Sequence, residues 1–290
     1  MNSRYLGGLY MALAASIWGG MYVVSKVLLQ NIEPLALVWL RYVVALCALA
    51  ISILATEQSW RVSWRHFLLV IVIGVVGYAV SIWTQFLGTK LSTAQMGAMI
   101  TSATPAFMVV FGRMILGERV TVRKGVSIGL ATVGVLLIVG IGGFSHSYQL
   151  GGVILFVAAL TCALMSVVVK LVPNDYSQLT VTFYAILVAI VCITPTAVNQ
   201  LIHVSPSTWV QPSLWSGVLY LGVVSTSGAF FLWNKGLQLV DASSGGLYFF
   251  FQPLVGTFLG WLILGEVVGL SFWVGALLIL IGVAIVVNEA

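Results

Sequence analysis

The side chains best suited to bind a small molecule are two amides inside long apolar runs. Gln85 and Gln252 each stand in such a run, and an amide without a partner is costly in hydrocarbon. We therefore expect each to meet a polar group. That group is either a bound substrate or a backbone carbonyl that a nearby proline has freed from its helix.

Aromatic and hydroxyl side chains accompany the two amides. Several Trp and Tyr residues lie deeper in their runs than the aromatic residues that form belts at the membrane surface. Hydroxyl side chains also occur within the runs, for example Ser225 and Thr226. The candidate substrate-binding residues are Trp18, Tyr22, Tyr78, Ser81, Gln85, Thr101, Thr104, Thr226, Trp233, Tyr248 and Gln252. Such a site suits neutral or zwitterionic metabolites and, less well, organic cations held by cation–π contacts.

Catalytic chemistry is not expected. The carboxylates and histidines all fall at or beyond the ends of the apolar runs, so the sequence places no proton relay in mid-membrane. It has no convergent acid, base, nucleophile or metal cluster, and no phosphate loop for ATP. Cys47, Cys162 and Cys192 lie in apolar runs, where neither a disulfide nor a zinc site is expected. We expect no enzyme, cofactor or metal.

The elements that position these residues must be membrane helices. Only 12 Lys and Arg and 7 Asp and Glu occur in 290 residues, and 61% of residues are hydrophobic. A soluble enzyme or a nucleic-acid-binding protein needs far more charge. Runs long enough to cross a bilayer predict ten helices, at 5–27, 34–54, 66–88, 93–115, 122–142, 150–172, 177–198, 213–233, 243–264 and 268–287.

The chain repeats itself internally. A shift of 148 residues aligns 73–139 with 221–287 without a gap, and a shift of 144 aligns Lys26 with Lys170. We predict two five-helix repeats, 1–144 and 145–290. Because five is odd, the second repeat enters the membrane from the opposite side, which gives two inverted halves.

The distribution of Lys and Arg among the loops predicts how the chain is oriented in the membrane. If both termini are cytoplasmic, Lys26 and Lys90 face outward. The basic residues then on the cytoplasmic side are Arg4, Arg61, Arg65, Arg113, Arg119, Arg123, Lys124, Lys170 and Lys235. This imbalance favours cytoplasmic termini by the positive-inside rule.

The remaining charges near or inside spans have structural interpretations. Lys26 and Lys170 can extend to the interface. Arg41, two turns into helix 2, needs a partner, for which Glu33, a backbone carbonyl or a lipid phosphate are candidates. Glu118 and Glu266 precede helices 5 and 10, where a carboxylate is favoured by the helix dipole, and we interpret both as turn residues.

Two prolines occupy matching positions in the repeats. Pro105 and Pro253 each stand about twelve residues into a span, where proline removes a hydrogen bond and kinks the helix. Paired breaks point to the binding site of a transporter, so we predict that helices 4 and 9 bend around a central cavity. Glycines at helical spacing, such as Gly74, Gly77 and Gly88, mark inward faces that serve either tight packing or cavity lining.

These motifs together resemble a known family. Trp18-Gly19, Lys26, Pro34 and Arg41 open the chain, and each half carries a Pro followed by Leu-Gly-Glu, at 116–118 and 264–266. The pattern resembles the EamA-type transporters of the drug/metabolite transporter superfamily, over essentially the whole chain. The second half departs from it, with Cys162-Ala163 in place of Trp18-Gly19.

The resemblance implies a secondary carrier, often an exporter, with a cavity lined mainly by helices 1, 3, 4, 6, 8 and 9. We expect an inner-membrane carrier that is secondary-active or facilitative and exports amino acids or similar small amphiphilic metabolites by alternating access. The alternatives are a carrier of organic cations or drugs, an importer, or a channel-like pore. The expected partners are a small-molecule substrate and the lipid bilayer, without nucleic acid or ATP. The oligomeric state stays open, and a monomer is compatible with the sequence.

Overall fold

The computed structural model describes residues 3–117, 121–139, 145–169, 171–173, 175–237, 239, 248, 251–267 and 269–287. Glu118, Arg119 and Lys170, which carried sequence predictions, lie outside these residues. Within the described ranges the protein is helical and contains no strand. The all-helical fold class is therefore confirmed.

The helices follow the apolar runs closely. They are α1 (Ser3–Leu28), α2 (Pro34–Ala55), α3 (Trp64–Leu91), α4 (Ala94–Thr101 and Thr104–Leu116), α5 (Val122–Val139), α6 (His146–Val169), α7 (Gln178–Ile202), α8 (Pro212–Leu219, Tyr220–Gly228 and Ala229–Leu237), α9 (Phe251–Leu264) and α10 (Leu270–Val287). A single turn at Pro206–Trp209 precedes α8. In the described residues seven helices are long and apolar enough to cross a membrane, and α9 and α10 contribute shorter apolar stretches.

The helices pair mainly across the two halves of the chain. Helix α1 packs against α8 and α9, while α6 packs against α3 and α4. Helix α2 packs against α7, and α5 packs against α10. If each helix from α1 to α5 is exchanged with the matching helix from α6 to α10, the same pairs of helices are in contact. The packing thus has the pseudo-twofold character of a transporter built from repeats.

Matching stretches of α3 and α8 are wound as π-helix. Ile73–Ser81 and Tyr220–Gly228 both adopt the wider winding, one residue out of the 148-residue register. In the second stretch the hydroxyls of Thr226 and Ser227 donate to the carbonyls five residues earlier, at 2.7 and 3.3 Å. π-Helical turns are rare and often occur at functional sites, and these two carry Tyr78, Ser81 and Thr226.

Glycines let helices of opposite halves approach closely. A Cβ on Gly74 would lie 2.6 Å from the carbonyl oxygen of Ala185, and one on Gly88 would lie 2.6 Å from Leu155. The same atom on Gly19 would lie 2.5 Å from the carbonyl oxygen of Gln252. These glycines serve packing, the first of the two roles predicted for such positions.

Both Leu-Gly-Glu motifs end a helix in the same way. Gly117 after α4 and Gly265 after α9 have φ of 69° and 64°, in the left-handed region where glycine has no steric penalty. The chain can therefore reverse directly after each helix. The turn brings Glu266 back toward α9, so that its backbone N–H donates to the carbonyl of Gly260.

Candidate functional site

Three predicted residues form one hydrogen-bonded group between the halves. Tyr22 of α1, Thr101 of α4 and Gln252 of α9 are 1%, 6% and 6% exposed. The Tyr22 hydroxyl lies 2.5 Å from Thr101 Oγ1, and Gln252 Nε2 donates to the same oxygen at 2.9 Å. Gln252 Nε2 also lies 3.5 Å from the Tyr22 hydroxyl. We call these three residues the central triad.

Thr101 is the shared acceptor of the central triad. Its hydroxyl donates to the carbonyl of Gly97 at 2.7 Å, which uses its single proton. The two lone pairs then accept from Tyr22 and from Gln252, so the hydroxyl is fully satisfied. The group joins two helices of the first half to one helix of the second half, with an oxygen atom at its centre.

An aromatic cluster lies among α1, α3 and α8. The Trp18 ring stands 5.3 Å from that of Phe230 and 5.4 Å from that of Trp233, and the rings of Tyr78 and Phe230 are 6.2 Å apart. The Trp18 indole nitrogen donates to the carbonyl of Ser225 at 3.0 Å. We call these four residues, Trp18, Tyr78, Phe230 and Trp233, the aromatic cluster. Three of them were predicted from the sequence, and Phe230 was not.

Arg41 has partners other than those proposed from the sequence. Its Nε donates to Thr226 Oγ1 at 2.7 Å. Glu33 instead forms an ion pair with Lys90 at 2.6 Å, and no backbone carbonyl of the described residues accepts from Arg41. The prediction of Glu33 or a carbonyl as its partner was wrong. The side chain points into the bundle, where it is 2% exposed, and not along α2 toward Glu33.

Two charged residues bind the backbone where α3 ends and α4 begins, on the side predicted to face outward. Lys26 Nζ donates to the carbonyls of Thr89 and Lys90, both at 2.9 Å, and to that of Ser92. These carbonyls end α3, where a cation is favoured by the helix dipole. Extension to the interface, which the sequence allowed for Lys26, is therefore not its only role, because its ammonium group closes a helix end.

Glu266 holds the beginning of α4. Its carboxylate accepts from the backbone N–H groups of Ala94 at 2.7 Å and Gln95 at 3.0 Å. The sequence predicted that the N-terminus of α10 stabilises the Glu266 carboxylate. In the structure the helix that binds this carboxylate is α4, in the other half. Burial raises the pKa of this carboxyl above its ordinary value, while the two N–H bonds and Lys26 act in the opposite direction. Glu266 thereby connects the halves at this end.

Other predicted residues use their hydroxyl groups to bond to backbone carbonyls, and Tyr248 lies elsewhere. Ser81 donates to the carbonyl of Ala158 on α6 at 3.1 Å, and Thr104 donates to the carbonyl of Thr101 at 2.7 Å. Tyr248 packs its hydroxyl against Gly8, near the beginning of α1. Gly8 is ten residues from Trp18, about 15 Å along a helix. The structure therefore does not bring Tyr248 to the aromatic cluster.

Gln85 carries a buried oxygen atom without a hydrogen-bond partner. Its side chain is 7% exposed, and Oε1 has no hydrogen-bond partner among the described residues. The hydroxyl of Ser225, which is fully buried, is also without a partner there. Buried polar atoms are normally satisfied, so both are suited to meet a group that enters the bundle.

The helix that contains Pro105 is interrupted, whereas the described part of the helix that contains Pro253 is continuous. Helix α4 is interrupted at Ser102 and Ala103, and Pro105 is the second residue of its second segment, where a missing N–H costs nothing. The interruption directly follows Thr101. Pro253 lies near the start of the described part of α9 and directly follows Gln252. Each proline is thus close in sequence to a member of the central triad, and a gating role for the pair remains a prediction.

Sequence reasoning missed residues that act through the backbone or across halves. Tyr42, fully buried on α2, donates its hydroxyl to the carbonyl of Tyr78 at 2.8 Å. No sequence signal marks this bond, which lies within the π-helical stretch of α3. For Arg41 a signal existed, since charge inside a span marks function by default.

The site has the composition of a binding site for a small molecule inside a membrane protein. Its groups are neutral amides, hydroxyls and aromatic rings with one buried guanidinium. In the described part of the chain no group of His, Cys, Asp and Glu is arranged to hold a metal ion. Buried, mutually bonded polar groups between two similar halves are typical of carriers.

Comparison with known proteins identifies the family. The profile of the EamA-like transporter family matches residues 5–140 and again 149–288. The chain belongs to this family, within the drug/metabolite transporters, and is a multi-pass membrane transporter. A chain of known crystal structure has a TM-score of 0.67 at 21% identity and matches over 98% of this chain and 99% of its own length, which supports the fold.

Several relatives are transporters by name. An uncharacterized transporter of Archaeoglobus fulgidus is 24% identical over 281 residues, 96% of this chain and 98% of the relative. The permease-like protein YdzE of Bacillus subtilis is 66% identical over 71 residues, 24% of this chain and 91% of its own. The aromatic amino acid exporter YddG of Ancylobacter novellus is 27% identical over 218 residues, 73% of this chain and 70% of the relative.

Proposed function

We propose that this transporter exports amino acids or similarly small amphiphilic metabolites by alternating access. The substrate would occupy the region between the central triad and the aromatic cluster, because Tyr22 of the triad and Trp18 of the cluster stand four residues apart on α1 and so share one face of that helix. A substrate with both an apolar side chain and polar groups fits such a lining. The relative YddG, named an aromatic amino acid exporter, is consistent with this substrate class.

One observation carries the proposal: Gln252 of the second half donates to Thr101 of the first half. The bond crosses the boundary along which the halves must move against each other. Gln252 directly precedes Pro253, and α4 is interrupted between Thr101 and Pro105. A substrate that takes over the hydrogen bonds of Thr101 and Gln252 exchanges a contact between the halves for a contact with itself. Binding is thereby coupled to movement of the halves.

The proposed location is the cytoplasmic membrane, with both termini inside. The excess of basic residues in the loops predicted to be cytoplasmic supports this orientation. Lys26 and Glu266 then lie at the outer end, where their bonds to the ends of α3 and α4 hold that side closed. Labelling of a Ser59→Cys variant in the exposed loop between α2 and α3 from the cytoplasmic side checks the orientation.

Uptake into inside-out vesicles tests the direction and the substrate class. We expect saturable accumulation of at least one labelled amino acid, with aromatic residues first on the panel. Trp18→Ala, Tyr78→Phe and Gln252→Ala should each reduce the rate while the amount of protein in the membrane stays the same. Absence of uptake across a broad panel of amino acids and amines contradicts the proposal, as do unchanged kinetics in all three variants.

Export of organic cations is the second candidate function. The aromatic cluster favours it, because indole and phenyl rings attract cations. The buried guanidinium of Arg41 acts against it by repulsion between like charges. A panel that contains quaternary ammonium compounds beside amino acids separates the two functions.

A further inference from the structure

Arg41 places a positive charge inside the bundle. The side chain is 2% exposed and lies among α1, α3 and α8. Its Nε donates to Thr226 Oγ1 at 2.7 Å, Nη1 lies 3.2 Å from the Met21 sulfur, and the guanidinium carbon is 5.5 Å from the centre of the Phe86 ring. A hydroxyl, a thioether and an aromatic face are all neutral groups, so the charge is solvated but not neutralised.

The described residues offer this charge no carboxylate. The one ion pair in the described ranges joins Lys90 to Glu33, and the Glu266 carboxylate is bound to the beginning of α4. Arginine keeps its charge under all physiological conditions. A buried charge without a counter-ion is strongly unfavourable, and within a membrane such a residue marks a binding site or an ion pathway by default.

Each contact of Arg41 adjoins the predicted site. Met21 precedes Tyr22 of the central triad, and Phe86 follows Gln85. Thr226 is itself a candidate residue and follows Ser225, whose carbonyl accepts from Trp18 of the aromatic cluster. The guanidinium therefore contacts one predicted residue, Thr226, directly, and its other two contacts are the neighbours in sequence of Tyr22 and Gln85.

Two unsatisfied polar atoms lie on the same segments. They are Oε1 of Gln85 and Oγ of Ser225, and both are buried without a hydrogen-bond partner in the described structure. The first can only accept a hydrogen bond, and the second can donate one. Arg41 has five N–H donors, of which the contacts to Thr226 and Met21 engage only part. The site thus offers spare donors together with one spare acceptor.

We propose that Arg41 binds the carboxylate of the transported substrate. This inference rests on the proposed function and narrows its substrate class to metabolites with a carboxylate. The planar guanidinium suits a carboxylate geometrically, Ser225 supplies a further donor, and the Gln85 carbonyl oxygen accepts from an ammonium group. The bound carboxylate neutralises the guanidinium. The loaded carrier can then change between the two conformations of alternating access without an unpaired charge on Arg41.

A matched set of ligands tests the inference on the purified full-length protein. The set consists of L-phenylalanine, its amide, the decarboxylated amine phenethylamine, and phenylacetate, which keeps the carboxylate and lacks the amine. Binding is measured by titration calorimetry and transport by counterflow in proteoliposomes. For the wild type we expect phenylalanine to bind at least about tenfold more tightly than its amide or the amine, the factor that one charge-assisted hydrogen bond typically provides.

Three variants locate the effect. Arg41→Gln should bring the affinities for phenylalanine and its amide to within about twofold of each other, because the carboxylate then has no cation to meet. Arg41→Lys should retain part of the preference, since the charge remains and the planar fork is lost. The control Lys90→Gln removes a cation from the exposed ion pair with Glu33 and should leave the preference unchanged.

The possible outcomes separate this inference from the proposed function. Equal wild-type affinity for acid, amide and amine overturns the role of Arg41 without reference to any variant, as does a full carboxylate preference in Arg41→Gln. Transport of amines without transport of any carboxylate also overturns it, while the protein remains a carrier. Arg41-dependent transport of phenylacetate but of no amino acid supports the carboxylate site and contradicts amino acid export.

Discussion

Thr101 joins the two halves through its side-chain hydroxyl. Its hydroxyl accepts from Tyr22 and Gln252 and donates to Gly97. The sequence predicted all three members of the central triad as candidates, because polar groups in apolar runs need partners. It did not predict that they bond to one another, since the partners lie 79 and 151 residues apart in the chain.

Replacing Thr101 tests the triad at the scale of single atoms. Thr101→Val keeps the shape and removes the oxygen, which leaves Tyr22 and Gln252 without their acceptor. A lost hydrogen bond of this kind costs about 1 kcal/mol, so two predict a decrease in transport efficiency of about tenfold or more. Thr101→Ser should stay close to the wild type, and initial rates of uptake in proteoliposomes measure both.

Thr161 supplies the control for this substitution. Its hydroxyl donates only to carbonyls of its own helix, at 2.8 and 3.1 Å. Thr161→Val should therefore leave transport unchanged. Equal losses in the Thr101 and Thr161 variants would mean that membrane threonines are merely sensitive to replacement, and the central triad would have no special part in transport.

At the scale of helices, hydropathy predicted the spans well because lipid selects for apolar length alone. It could not predict the π-helical winding of Ile73–Ser81 and Tyr220–Gly228, which depends on packing between halves. Nor did it reveal that Glu266 holds α4 and not α10. A carboxylate near two helix beginnings satisfies the same local rule in either place, and only the tertiary structure decides between them.

A glycine contact between α1 and α9 positions the central triad. A Cβ on Gly19 would come within 2.5 Å of the carbonyl oxygen of Gln252 and 3.0 Å of the Gly256 nitrogen. Because these are backbone atoms, Gly19→Ala must push α9 away from α1 and displace Gln252 from Tyr22. We expect this variant to lose most of its transport activity and to unfold at a lower temperature in detergent.

Gly129 on α5 is the matched control for Gly19→Ala. A Cβ there meets no atom within 4 Å, so Gly129→Ala adds no clash. Alanine is the better residue within a helix by about 0.5–1 kcal/mol, and the variant should transport normally with an equal or higher unfolding temperature. Full activity of Gly19→Ala would contradict the close packing of α1 on α9 as the basis of the site.

For the whole molecule, the scarcity of charge and the repeat are connected. The helices pair so that exchanging the halves preserves the contacts, which lets one set of interactions form as the equivalent set breaks. Among the described residues, Lys26 and Glu266 bind the backbone at helix ends. Arg41 instead places a charge inside the bundle.

Counterflow in proteoliposomes tests the central claim, that this protein is an alternating-access carrier of amino acids. Vesicles preloaded with an unlabelled transported amino acid should take up the labelled compound from outside faster than empty vesicles, with saturation as its concentration rises. Thr101→Val should reduce this exchange. Uptake that rises linearly with concentration and is indifferent to preloading would contradict the account and indicate a pore.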